Sequence, residues 1–136
     1  MASAAVMAAV SARIAAAWTA TPILALNVGG DVPRRNTAFL AVEYPLADEE
    51  QITIGAPGAN VFRETGAFRV VLSVPAGAGL GAWPAAVDAL RAALRGRSFG
   101  GVVTGAVPPP TVSDRSDSGA YCELSFAVPY RFDLVG

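Results

Sequence analysis

The 136-residue chain is 53% hydrophobic, which excludes a disordered polypeptide and gives enough material for one sizeable core in one domain over residues 1–136. Charged residues make up only 15%, against about 25% in an average globular domain, so part of the surface is expected to be buried against another copy or another protein. The formal net charge of −1 argues against a bulk attraction to nucleic acid or anionic membrane, and the absence of histidine removes the commonest general base and metal ligand.

Residues 3–18 read as an amphipathic helix, with Val6, Val10, Ile14 and Trp18 recurring every four residues and Met7 alongside. Ser3 is placed to cap its start, and Pro22 blocks any extension of the helix beyond it. The opposite face is mostly alanine, with Ser11 and Arg13. This Ala-rich start lacks the basic leader of a signal peptide and carries Arg13 where the apolar centre belongs, so it is read as a helix of the fold. No apolar run approaches the roughly 20 residues of a membrane-spanning helix.

Residues 23–28 form a short apolar run ended by glycines, a strand signal; residues 31–36 are polar and contain Pro33, a loop. Residues 37–44 read as a strand with apolar side chains on both faces, 46–50 as an acidic turn, 51–54 as a brief strand and 55–58 as a Gly-Pro turn. Over 61–74 the alternation is clear, with Phe68, Val70, Leu72 and Val74 on one face and Arg69 and Ser73 on the other.

The Gly/Pro-rich stretch 75–81 breaks the sheet before a second helix striped by Trp83, Val87, Leu90 and Leu94. Pro84 suits its first turn, Asp88 can pair with Arg91, Arg91 and Arg95 complement the helix dipole near its end, and Gly96 is a natural terminator. Residues 102–107 read as a strand before three prolines, 113–119 as a polar mobile loop, and 121–132 as the longest strand, with Cys122, Leu124, Phe126, Val128, Tyr130 and Phe132 sharing a face. The order implies an α+β fold: a mixed, mainly antiparallel sheet with two helices packed on it.

No catalytic, cofactor or metal site emerges from the residues. Cys122 lies in core register and is a lone thiol. Asp48, Glu49 and Glu50 are consecutive, and consecutive carboxylates in a turn seldom converge on a metal. Asp114, Ser116 and Asp117 lack the glycine and terminal glutamate of a calcium loop. Gly77, Gly79 and Gly81 depart from Gly-x-Gly-x-x-Gly, and no Lys-Ser/Thr pair follows them. Arg63 and Arg69 flank Glu64 near Phe62 and Phe68, but Phe68 is in the inward register, so an inter-subunit ion pair is the better reading than a nucleic-acid platform. All ten basic residues are arginine, a composition typical of GC-rich coding and also one whose forked side chains suit interfaces.

Several ordered segments carry a resemblance. They are Gln51-Ile-Thr-Ile-Gly55, Phe62-Arg63-x-x-Gly66, Val74-Pro75-Ala-Gly-x-Gly79, the helix 85–94 followed by Arg97-Ser-Phe99-Gly-Gly, Tyr121-x-x-x-Ser125 and Val128-Pro129-Tyr130-Arg131-Phe132-Asp133. Asn36-Thr-Ala-Phe39 and the N-terminal helix fit in position, so the likeness covers most of the chain. Together they resemble the phage tail terminator-like family, related in architecture to the minor tail protein U of lambdoid phages. The match is weakest over Pro108-Pro109-Pro110 and the loop after it.

The resemblance implies a non-enzymatic structural subunit without cofactors. It implies a homo-hexameric ring that binds the last ring of tail tube protein, ends its polymerisation and meets head-side neck or connector proteins. DNA would only pass through the lumen, and no membrane is involved. Assembly would take place in the bacterial cytoplasm, followed by residence in the tail of a virion or virion-like particle. The composition suggests a prophage or gene transfer agent. Exposure and composition nominate Arg34, Arg35, Asp48, Glu49, Arg63, Glu64, Arg69, Asp114 and Asp117 as interface charges, and the loops 31–36 and 113–119 and the segment 48–58 as contact elements. The competing readings are another neck or tube component, such as a head–tail joining stopper, and a small-molecule-binding domain.

Overall fold

The computed structural model describes residues 1–24, 37–77, 79–113 and 121–136. The elements are α1 (Ala4–Ala17), β1 (Ile23–Leu24), β2 (Phe39–Gln51), β3 (Val61–Pro75), α2 (Trp83–Leu94), β4 (Ser98–Phe99), β5 (Val102–Thr104), β6 (Thr111–Ser113) and β7 (Tyr121–Val135). One sheet takes all the strands in the order β1-β2-β3-β7-β5-β4, and β6 pairs with β7 beside this path. β1 runs parallel to β2, and every other pair is antiparallel. This is the mixed, mainly antiparallel α+β arrangement that the order of elements implies.

The alternating apolar residues of β3 and β7 set the architecture. These strands pair without interruption from Val61 opposite Val135 to Pro75 opposite Tyr121. Phe68, Val70, Leu72 and Val74 then share one face with Leu124, Phe126, Val128 and Tyr130. Val6, Val10 and Ile14 of α1 and Val87, Leu90 and Leu94 of α2 join them in one core. Each such side chain removed from water contributes about 1.5–3 kcal/mol, so this shared face holds both helices on the sheet. Arg13, from the alanine face of α1, donates from Nε and Nη2 to the Ala93 carbonyl of α2 at 3.2 and 2.9 Å.

α2 begins with Pro84 in its first turn and ends where Gly96 takes φ +59°, as its sequence predicts. Asp88 accepts from Arg91 at 2.8 Å, the pair expected from their spacing. The buried Thr104 hydroxyl donates to the Leu94 carbonyl at 2.5 Å and accepts from the Arg97 N–H at 2.9 Å. The Gly96 N–H donates to the Gly105 carbonyl at 3.1 Å, so the turn after α2 is clamped to the strand beyond it.

Four local expectations are corrected. Residues 46–50 are not a turn: β2 continues to Gln51, and a register shift between Glu43 and Leu46 lets the strand pass Pro45 and resume pairing with β3. Residues 52–54 consequently belong to the connection to β3 rather than to a separate strand. Ser3 holds the N-cap position without a side-chain cap, and its backbone N–H donates to Glu64. Ser113, expected to start a loop, belongs to β6. The strand expected over 23–28 is described only at Ile23–Leu24; its remainder, with the loops 31–36 and 114–119, lies outside the described residues.

Candidate assembly surfaces

Beyond the helices the sheet continues as an arm formed by the far halves of β2, β3 and β7. Its base is fixed by a buried carboxylate. Glu64 is 6% exposed because it shares strand parity with Phe68 and points under the start of α1. Its Oε2 accepts from the Tyr130 hydroxyl at 2.6 Å and from the Ser3 N–H at 3.2 Å. Burial alone would raise the carboxyl's pKa, but the Tyr130 and Ser3 donors outweigh it and hold the group below its ordinary value. Burial, followed by this bond to Glu64, pushes the Tyr130 hydroxyl up.

On the opposite face Arg63 grips Asp133 of β7 with two hydrogen bonds, 2.7 and 3.0 Å long. The bond to Arg63 holds the Asp133 carboxyl below its ordinary range. Arg69 bonds Glu43 of β2 at 3.2 Å and Ser125 of β7 at 3.0 Å. Arg63 and Arg69 therefore already have acidic partners in their own chain. Glu64 is a buried internal tie, which corrects the expectation that it is an exposed charge. Its parity with Phe62 and Phe68 is the sequence signal for this.

Asp48, Glu49 and Glu50 are exposed on β2 and form no ion pair among the described residues. Because β1 covers β2 only at Leu40 and Ala41, the edge of β2 beside these acids is unpaired among the described residues. The hairpin tip beyond them is apolar and solvent-facing, with Ile52 41% and Ile54 91% exposed. Asn60 braces it, its Oδ1 accepting from Thr53 Oγ1 and the Ala56 N–H, both at 3.2 Å. Gly55 and Gly58 take φ of +96° and +82°, which lets the turn close without strain. Arg34, Arg35, Asp114 and Asp117 lie outside the described residues.

The opposite sheet edge carries two arginines that composition and exposure did not nominate for the interface. Arg95 and Arg97 flank Gly96 just before β4, are exposed, and pair with no carboxylate among the described residues. An apolar pocket of ≈ 340 Å³ opens between α1, β1 and β2, with Ser11 and the Tyr44 hydroxyl as its polar side chains. Among the described residues no group of three or more His, Cys, Asp or Glu side chains is placed to hold a metal. Cys122 is half-buried against the core.

An acidic strand edge, a basic turn before β4 and an exposed apolar hairpin tip are the outward features of the described residues. The chain belongs to the phage tail terminator protein family, whose family model matches residues 5–130, from the first turn of α1 to Tyr130 of β7. No curated protein matches the chain. It is accordingly a structural protein of a phage tail, and contact with other tail or neck proteins goes with that role. Among the described residues no helix is long and apolar enough to cross a membrane.

Proposed function

We propose that this chain forms a ring on the head-proximal end of the tail tube, stops tube growth there and presents its outer side to the neck proteins. The observation that carries the reading is the family match across residues 5–130. The braced hairpin supports it, because an apolar tip held away from the core suits capture of another subunit. A ring requires heterologous contacts that close by rotation, and a hexamer is the stoichiometry that the resemblance implies. DNA crosses the lumen only in transit.

The chain acts as one domain without cofactor or catalysis, is assembled in the bacterial cytoplasm and then stays in the tail. A prophage or gene transfer agent of a GC-rich host fits the composition. Asp48 and Glu49 are assigned to subunit contacts, with Arg34, Arg35, Asp114 and Asp117 as further contact charges. Arg63, Glu64 and Arg69 act on the interface by holding the arm in shape.

Electron microscopy of particles assembled without this protein tests the proposal. Overlong tubes are expected. Tails of normal length that lack heads would instead assign the chain to head–tail joining, as a stopper.

A further inference from the structure

The register of the sheet leads from the acidic edge to the short strand that follows the basic turn, with Arg97, beside Thr104, one row from Asp48. Asp48 lies opposite Thr65, Thr65 opposite Arg131, Arg131 opposite Val103, and Val103 opposite Ser98. Glu49 leads likewise through Glu64, Phe132 and Val102 to Phe99. Each row crosses the sheet from β2 to β4 in four inter-strand steps of about 4.8 Å. One end of these rows carries Asp48, Glu49 and Glu50, and the other follows directly on Arg95 and Arg97. The charges at both ends are exposed; Asp48, Glu49, Arg95 and Arg97 form no ion pair among the described residues, while Glu50 lies opposite Arg63, whose charge it feels.

We infer that the β2 edge of one copy docks on the β4 edge of the next, with Asp48–Glu50 facing Arg95 and Arg97. The occupant of each edge is a second copy of this chain. Charge complementarity argues for it: like edges repel and unlike edges attract, so the contact is head-to-tail and not two-fold. Proximity in register argues for it too, because Arg97 lies within one residue of the row that begins at Asp48. The basic edge is preformed, since Thr104 and Gly105 clamp the turn that carries both arginines. The inference rests on the ring proposed above and names the contact that closes it.

Charge reversal tests the pairing. One variant carries Asp48→Arg, Glu49→Arg and Glu50→Arg; a second carries Arg95→Glu and Arg97→Glu; a third carries all five changes. Association is read by sedimentation velocity over a concentration series, with purified tail tubes present, and folding by thermal melting. Each single-edge variant should stay folded, with a modestly lowered melting temperature because Glu50 faces Arg63 and because Arg95 and Arg97 serve the end of α2. Each should nevertheless associate at least about tenfold more weakly, since like-charge juxtaposition in an interface costs several kcal/mol. The five-fold variant should recover association, as should a mixture of the first two. High salt should weaken the wild-type contact.

Folded single-edge variants that associate like the wild type would overturn the inference, as would failure of the five-fold variant to recover. A wild type that stays monomeric with tubes present would do so too. Tube length in particles lacking the protein reads the capping proposal separately. Overlong tubes combined with indifferent charge variants leave capping standing and remove only the edge pairing. Normal tubes combined with charge-governed association do the reverse.

Discussion

The Tyr130 hydroxyl donates to Glu64 Oε2 at 2.6 Å, on the same oxygen that takes the Ser3 N–H at 3.2 Å. One carboxylate oxygen thus joins β7, β3 and the start of α1. Tyr130→Phe removes the shorter bond while keeping the ring beside Phe68, whose centroid lies 6.3 Å away. Loss of a hydrogen bond to a charged buried group costs about 1.5–3 kcal/mol, and a urea titration should show a loss of that size.

The same carboxylate sets an acid sensitivity. Its folded pKa lies below the ordinary value of 4.5, so the folded state binds fewer protons than the unfolded state. Its contribution is present above pH 4.5 and is lost as pH falls through the depressed folded value. Asp133, held down by Arg63, acts with the same sign. Melting temperature should therefore drop as the pH is lowered below 4.5. Glu64→Gln should melt lower at neutral pH and show a shallower acid slope.

Gly66→Ala should destabilise the arm. A Cβ at this position would stand 2.2 Å from the Leu46 carbonyl oxygen and 2.9 Å from Ala47 Cα, and these backbone atoms cannot turn aside. Overpacking of this kind costs about 1–3 kcal/mol or more, measurable by denaturant unfolding.

Phe68 is fully buried where α1, β3 and β7 meet the core. Phe68→Ala should cost about 3–5 kcal/mol in the same titration, the range for truncating a buried aromatic side chain.

Ile54→Ser separates stability from assembly. With Ile54 91% exposed at the hairpin tip, the melting curve should stay within about 0.5 kcal/mol of wild type. If the tip captures another tail subunit, tubes should grow past their normal length in particles carrying the variant, as counted by electron microscopy.

The elements that bury an apolar face are legible in the sequence. α1, α2, β3 and β7 each announce themselves by period, because the core demands one side of each. The outer half of β2 is not legible. Its acids alternate between two wet faces, so no apolar alternation marks residues 46–51 as a strand, and pairing with β3 decides the matter. Glu64 misleads because its neighbours Arg63 and Thr65 suggest solvent, although its parity with Phe68 points inward. In the sequence Arg95 reads as a dipole partner of α2, and Arg97 only as part of the Arg97-Ser-Phe99 segment. Only the strand order, which depends on pairings distant in sequence, shows that they precede β4, the strand at the other end of the sheet from β1 and β2.

β7 comes after every other described strand in the chain, yet it occupies the middle of the sheet, between β3 and β5. Until it leaves the ribosome, the nascent chain can close its first hairpin but leaves β3 open along its full length, an invitation to mispairing with other polypeptides. A product truncated before Tyr121 therefore lacks the centre of the sheet rather than a dispensable tail. A chain without this late strand leaves β3 and β5 without the partner they share.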